Sequence, residues 1–289
     1  MTSSDTQAGN RLIHRLLLGR NFWIGPTALL FLAQLCVVKL LGERNSGAVA
    51  TNIVQICVQI LGICVFLRTA RASHSLARYF WLLAVFSSLV FSIGLALAIS
   101  AQFLALSPNV PSWADAIFVF FFGPVSLTLF LEPDFEHRRF DRIHILDFTQ
   151  VLLFCIAVYL FWQYSTRIFP AASSGHDWFR ESWVGIFLWD GVLAGTFLLR
   201  AVLADSRLVR ALFGRIGCYL VFNCLADLLY DRYFQNLSTG SWYEIIWTAI
   251  AIIPIAIAGA WNDAKFEERS SSAQRGNRIN ASNDGRVIV

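Results

Sequence analysis

Ionisable and amide side chains stand out in this chain because they interrupt long apolar blocks, where burying a charge is costly and marks a functional candidate. Asp190 lies about eight residues into one such block. Gly191 and Gly195 follow it as a small-xxx-small pair, the kind that lets a neighbouring helix approach. Farther along, Tyr219, Asn223, Asp227 and Asp231 recur at steps of four, with Tyr230 beside them. That spacing lines side chains up on one helix face. Asn52, Gln55 and Gln59 make a second polar stripe, and Asp115 and Glu244 open two further apolar blocks.

If these faces converge, Asn52, Gln55, Gln59, Asp115, Asp190, Asn223, Asp227 and Glu244 line a ligand-binding cavity open towards one membrane surface. Trp113, Trp183, Trp189, Trp242 and Trp247 would ring it. The same residues have a plainer use, with the amides as glue between helices and the tryptophans as an interfacial belt. A catalytic alternative rests on Asp190 and Asp227. A protonated carboxyl within aromatic walls could start a terpene-cyclase-like reaction, because the rings stabilise a carbocation by cation–π attraction.

Other chemistries lack their residues. The five histidines, His14, His74, His137, His144 and His176, fall in connections or at block ends, so haem or copper held between helices has no ligands and no H-E-x-x-H zinc pattern occurs. Lys39 and Lys265 are the only lysines, and neither lies in a late block where a retinal Schiff base would form. No G-x-S-x-G elbow or phosphate-cradling glycine loop is present. The sequence therefore implies no cofactor and no metal. Cys36, Cys57, Cys64, Cys155, Cys218 and Cys224 all lie inside apolar blocks and read as small apolar fillers.

The elements that position these groups follow from composition. Of 289 residues, 56% are hydrophobic and only 15% are charged, and mean hydropathy is +0.57. A soluble domain carries about 25% charged residues. Eight apolar blocks of spanning length run over 22–41, 47–67, 79–104, 113–132, 145–164, 182–203, 209–230 and 242–261. Such near-continuous blocks predict helices rather than the alternating strands of a barrel. The expected fold is an all-α, polytopic membrane bundle of about eight helices.

Basic residues set the orientation, because cytoplasmic loops retain them. Eighteen of the 23 lie in alternate segments: Arg11, Arg15 and Arg20; Arg68, Arg71 and Arg78; Arg138, Arg139 and Arg142; Arg200, Arg207, Arg210 and Arg215; and Lys265, Arg269, Arg275, Arg278 and Arg286. Both termini are therefore expected in the cytoplasm, with the chain multi-pass in a plasma or bacterial inner membrane. The expected division is a segment 1–21, a transmembrane domain 22–261 and a largely disordered tail 262–289. The net charge of +4 calls for anionic lipid rather than nucleic acid as partner.

The run P-S-W-A-D-A-I-F-V-F-F-F-G-P at 111–124, followed by R-R-F-D-R and then I-L-D-F at 145–148, resembles the polytopic N-terminal modules of bacterial membrane sensors. These are the modules attached to GGDEF diguanylate cyclases or histidine kinases. The matching positions are Pro111, Ser112, Ala114 and Asp115, with Leu146 and Asp147 in the next helix, and they cover about 40 residues. Only 28 residues follow Trp261, without a G-G-D-E-F string or a kinase histidine box. The resemblance thus implies a non-catalytic sensory or ligand-binding module whose output lies on a separate cytoplasmic signalling protein, with a small apolar or amphipathic ligand. The membrane enzyme described above is the alternative. A transporter ranks last, because Gly123-Pro124 and Pro254 do not form the symmetric pair of helix breaks it would need.

Overall fold

The computed structural model describes residues 22–73, 75–104, 110–131, 149, 177–204, 206–234 and 237–261, and within these it describes side chains except at 75, 98, 101–116, 118, 119, 177–189 and 231. Among the described residues the chain is all-helical, with no strand. Seven α-helices are described: α1 (Ile24–Leu40), α2 (Asn45–Ala72), α3 (Ser75–Leu104), α4 (Val110–Leu127), α5 (Asp177–Leu203), α6 (Arg207–Leu229) and α7 (Glu244–Ala260). Each falls on one of the predicted apolar blocks. Of the block 145–164 only residue 149 is described, and the tail from 262 lies outside the described residues.

Three helical stretches, Asn45–Ala72, Leu76–Leu97 and Arg207–Phe234, are long and apolar enough to cross a membrane. The helices' outer faces suit hydrocarbon as well. Leu29, Ile53, Ile60, Phe86, Val192 and Phe222 point outward, while Gln34, Thr51, Asn52, Asp190, Asp227 and Thr248 are buried. In water that distribution would leave large apolar patches exposed. In lipid it satisfies both classes of side chain.

Pro124 and Pro254 both sit within continuous helices rather than at breaks. Hydroxyls add bonds back along the helices, such as Thr27 Oγ1 to the Trp23 carbonyl at 2.6 Å and Ser126 Oγ to the Phe122 carbonyl at 2.8 Å. A short 3-10 turn, Thr128–Phe130, ends α4, and a π-helical turn, Tyr230–Phe234, ends α6.

Helix α3 packs between α2 and α4; α2 packs on α7, α7 on α6 and α6 along α5, while α1 lies against both α2 and α7. Two halves of the bundle differ in what fills them. Towards the end holding the α2–α3 and α5–α6 connections, the interior is apolar. Phe66, Phe80, Trp81, Phe197, Phe213 and Ile255 form one buried cluster there. Its rings meet edge-on or tilted, Phe80 to Phe213 at 6.1 Å and Phe197 to Phe213 at 5.8 Å between centroids. Thr69 Oγ1 donates across to the Ala258 carbonyl, 3.2 Å away, fixing α2 against α7. Gly259 lets the Trp23 indole lie against the α7 backbone, where any Cβ would collide.

The opposite end holds the α1–α2 and α6–α7 connections, and these pack on each other. Gly42 (φ +58°) turns the chain out of α1, and Gly240 (φ +95°) lies over it; a Cβ at 240 would fall 2.5 Å from the Gly42 carbonyl oxygen. Ser238 Oγ donates to Glu43 Oε2 at 2.9 Å across the same contact.

Among the described residues no neighbouring helix approaches Gly191 and Gly195, against the expectation from their spacing: both are exposed, with no described atom within 4 Å of where a Cβ would stand. The close approach between α5 and α6 is made by Gly217, where a Cβ would lie 2.8 Å from Leu198 Cγ. The reason is rotation. Successive helical residues point about 100° apart, and α5 buries Asp190, Leu193, Ala194, Phe197 and Ala201. A helix that turns that stripe inward must turn Gly191 and Gly195 out.

Candidate functional site

The deepest polar group is built by α5 and α6. Asp190, 0% exposed, enters from α5 one turn before the buried Leu193 and Ala194. From α6 come Asn223 and, one turn later on the same face, Asp227, 8% exposed. Asn223 Nδ2 donates to Asp190 Oδ2 at 3.2 Å and to Asp227 Oδ2 at 3.1 Å. A single amide thus holds two carboxyls together. Asp190 Oδ1 is buried without a hydrogen-bond partner. Tyr219, one turn before Asn223, is partly buried against the apolar cluster.

A second polar group joins α2 and α7 at the same half of the bundle. Gln55 Nε2 donates to Glu244 Oε2, and the Gly240 backbone N–H also donates to the Glu244 carboxylate. A third ties α1 to α2, where Gln34 Nε2 donates to Thr51 Oγ1 at 3.2 Å, with Gln34 fully buried and its Oε1 unpartnered.

Tyr243 links the first group to the second. It is buried, sits next to Glu244 in the chain, and donates its hydroxyl to the carbonyl of Ala226, the residue before Asp227. Four rings surround it: Tyr230 at 5.3 Å, Phe234 at 5.2 Å, Trp242 at 5.4 Å and Trp247 at 5.8 Å between centroids. The π turn that follows Asp227 positions two of them, and the Tyr230 hydroxyl donates to the Leu237 carbonyl at 3.2 Å. Wide turns of this kind recur at functional positions inside helices.

The residues expected from sequence are thus distributed over distinct groups. Asp190, Asn223 and Asp227 come together, as do Gln55 and Glu244. Asn52 is buried on α2 beside Thr51, and Gln59 is half-buried one turn beyond Gln55. Asp115 lies on α4, but its side chain is outside the described residues, as are those of Trp113, Trp183, Trp189 and Asp231. Of the expected tryptophan ring, Trp247 packs on Tyr243, while Trp242 is 48% exposed.

Three participants escaped the sequence reading. Gln34 carried a usable signal, an amide in the middle of an apolar block, the criterion that singled out Asp190. Thr51 and Tyr243 carried none, since each is an ordinary residue near a block end until its partner across the bundle is known.

The chemistry open to the α5–α6 group follows from its donors and acceptors. Around the two carboxyls the described side-chain contacts are those of Asn223 and a hydrogen bond between the two acids themselves. No group of histidine, cysteine, aspartate and glutamate among the described residues could hold a metal by three or more such ligands. Comparison with protein families, curated proteins and solved structures finds no match to this chain.

Proposed function

We propose that the chain is an eight-span membrane protein with both termini in the cytoplasm, acting as a non-catalytic sensory or ligand-binding module of a bacterial signalling system. Its site is the Asp190–Asn223–Asp227 group, and its output lies on a separate cytoplasmic protein. The observation that carries this reading is the pair of carboxyls buried between α5 and α6 on one amide, with Asp190 Oδ1 left open. Hydrocarbon supplies no hydrogen bonds, and here the unmet acceptor belongs to a carboxyl that lies beside a second carboxyl. Support for the span count and orientation is the alternation of basic segments along the chain. Support for a signalling role is the resemblance of 111–148 to sensory modules.

The route by which the site could act runs through Tyr243, which bonds the backbone next to Asp227 and is covalently next to Glu244, the first residue of α7. Helix α7 runs from there to the end of the described chain. Acid catalysis on an apolar substrate has less support. One cluster of described rings gathers on Tyr243, whereas the described hydrogen-bond partners of Asp190 are Asn223 and Asp227.

The test uses the full chain in lipid nanodiscs and replaces both acids at once, Asp190→Asn with Asp227→Asn, to mimic a site whose charge has been neutralised. Hydrogen exchange is then compared along the chain. A sensory module shows altered exchange at the far end of α7 and in the residues after Trp261. If the change stays within one turn of residues 190 and 227, the group is static packing and the proposal fails.

A further inference from the structure

Two exposed stripes, one on α2 and one on α3, run to the same corner of the bundle. On α2, Ile53, Cys57, Ile60 and Cys64 are exposed, and steps of three and four keep them on one side of the helix. Arg68 and Arg71 continue that series, the first half-buried and the second exposed. On α3, Leu82, Phe86, Leu89 and Ile93 are exposed, and Arg78, also exposed, precedes them at the same step. The two helices pack on each other, and only residues 73 and 74 separate them. Each apolar stripe therefore ends in arginine at one place. Ile53 to Cys64 and Leu82 to Ile93 are each eleven residues apart, roughly 16 Å along a helix. One leaflet is half of a hydrocarbon core of about 30 Å, so each stripe matches one acyl chain.

The corner itself offers donors. The Arg68 guanidinium lies 4.3 Å from the centroid of the Phe22 ring, which keeps its charge beside the start of α1. Ser73, 5% exposed, has a buried Oγ without a hydrogen-bond partner. Helix α3 begins two residues later, and the first N–H groups of a helix have no partner within it. The described acids, Glu43, Asp190, Asp227 and Glu244, all belong to the polar half of the bundle. Guanidiniums, a hydroxyl and a helix N-terminus together suit a phosphate.

We propose that the α2–α3 corner binds one anionic phospholipid, with Arg71, Arg78 and the Ser73 hydroxyl on its phosphate and its acyl chains along the two stripes. The site rests on the reading that α2 and α3, both long and apolar enough, cross a membrane; it is independent of the Asp190 group. A zwitterionic head group carries its own cation, which the arginines repel. An anionic one leaves its phosphate charge to them.

The full chain is placed in nanodiscs of phosphatidylcholine, alone, with added phosphatidylglycerol, or with inorganic phosphate in the buffer, and its thermal unfolding is followed. Phosphatidylglycerol should raise the unfolding temperature by several degrees. Ser73→Ala and Arg78→Gln should each remove at least half of that rise, while Arg44→Gln, at the opposite end of α2, keeps it. Equal unfolding with and without phosphatidylglycerol overturns the proposal, as does a rise that persists in both Ser73→Ala and Arg78→Gln. A loss as large in Arg44→Gln would reveal diffuse surface charge and overturn the site. The same rise from inorganic phosphate would identify a free anion and overturn the lipid assignment. A chain that fails to insert into nanodiscs overturns the membrane reading and the site together, whereas an inserted chain without a lipid response overturns the site alone.

Discussion

Asn223 is the amide on which both carboxyls depend, so its replacement by leucine is the sharpest perturbation of the group. The substitution removes two hydrogen bonds, at 3.2 Å and 3.1 Å, one between helices and one within α6. Hydrogen bonds between membrane helices contribute roughly 0.6 kcal/mol on average and about 1.7 at most, whereas bonds to charged groups reach about 1.5–3 kcal/mol. The polar oxygens left behind stay buried, so the loss should fall at roughly 1–3 kcal/mol. At about 2–4 °C per kcal/mol for a chain of this size, the unfolding temperature should drop by roughly 2–12 °C. Thermal unfolding of the purified chain in nanodiscs reads this directly. Phe222→Leu, next in the chain but 57% exposed, serves as the neighbour control and should change stability by less than about 0.5 kcal/mol. Coupling is then read from Asn223→Leu in an Asp190→Leu background, where the second substitution should cost at least about 0.5 kcal/mol less than it does alone. An unchanged unfolding temperature for Asn223→Leu, or strict additivity in the cycle, would refute the claim that this amide ties the two acids together.

Other substitutions follow from the same geometry. Gly217→Ala should destabilise by roughly 1–3 kcal/mol, because its Cβ would press into Leu198. Gly191→Ala and Gly195→Ala should be neutral or stabilising by up to about 1 kcal/mol, since nothing stands within 4 Å; paired unfolding measurements compare the three. Gly240→Ala combines a left-handed backbone with contact on the Gly42 carbonyl, so a loss of about 2 kcal/mol or more is expected, with faster proteolysis of the loop at 237–243 as a second readout. For the span count, reporter fusions after residues 109, 175 and 239 should report the outer side and fusions after 74, 137 and 204 the cytoplasm; any two adjacent connections on one side would overturn the eight-span topology.

Span positions could be read from sequence because lipid leaves a long apolar block few alternatives to a helix. The blocks at 22–41 and 242–261 correspond closely to α1 and α7, and those at 47–67 and 182–203 understate α2 and α5, which extend into polar turns at their ends. The meeting of Asp190, Asn223 and Asp227 in one hydrogen-bonded group was legible for a similar reason. A polar group in such a block has to find a partner, and the i to i+4 step put Asn223 and Asp227 on one face. Helix rotation was harder to read. The glycines at 191 and 195 drew attention as a pair, yet the heavier apolar stripe of Leu193, Ala194 and Phe197 decides which face of α5 turns inward. Partners across the bundle were not legible at all. The bond from Tyr243 to Ala226, and that from Gln34 to Thr51, depend on how helices stack, which no spacing along one chain encodes.

The uneven filling of the bundle has a mechanical meaning. Interlocked rings such as Phe80, Phe197 and Phe213 resist sliding, since any displacement opens a void. Hydrogen-bonded side chains such as Gln55, Glu244 and Asn223 can trade one acceptor for another at little cost in volume. Of the two ends, the ring-filled one is therefore the costlier to displace, and the end that carries the buried acids is held by side-chain hydrogen bonds and by the contact of its two connections.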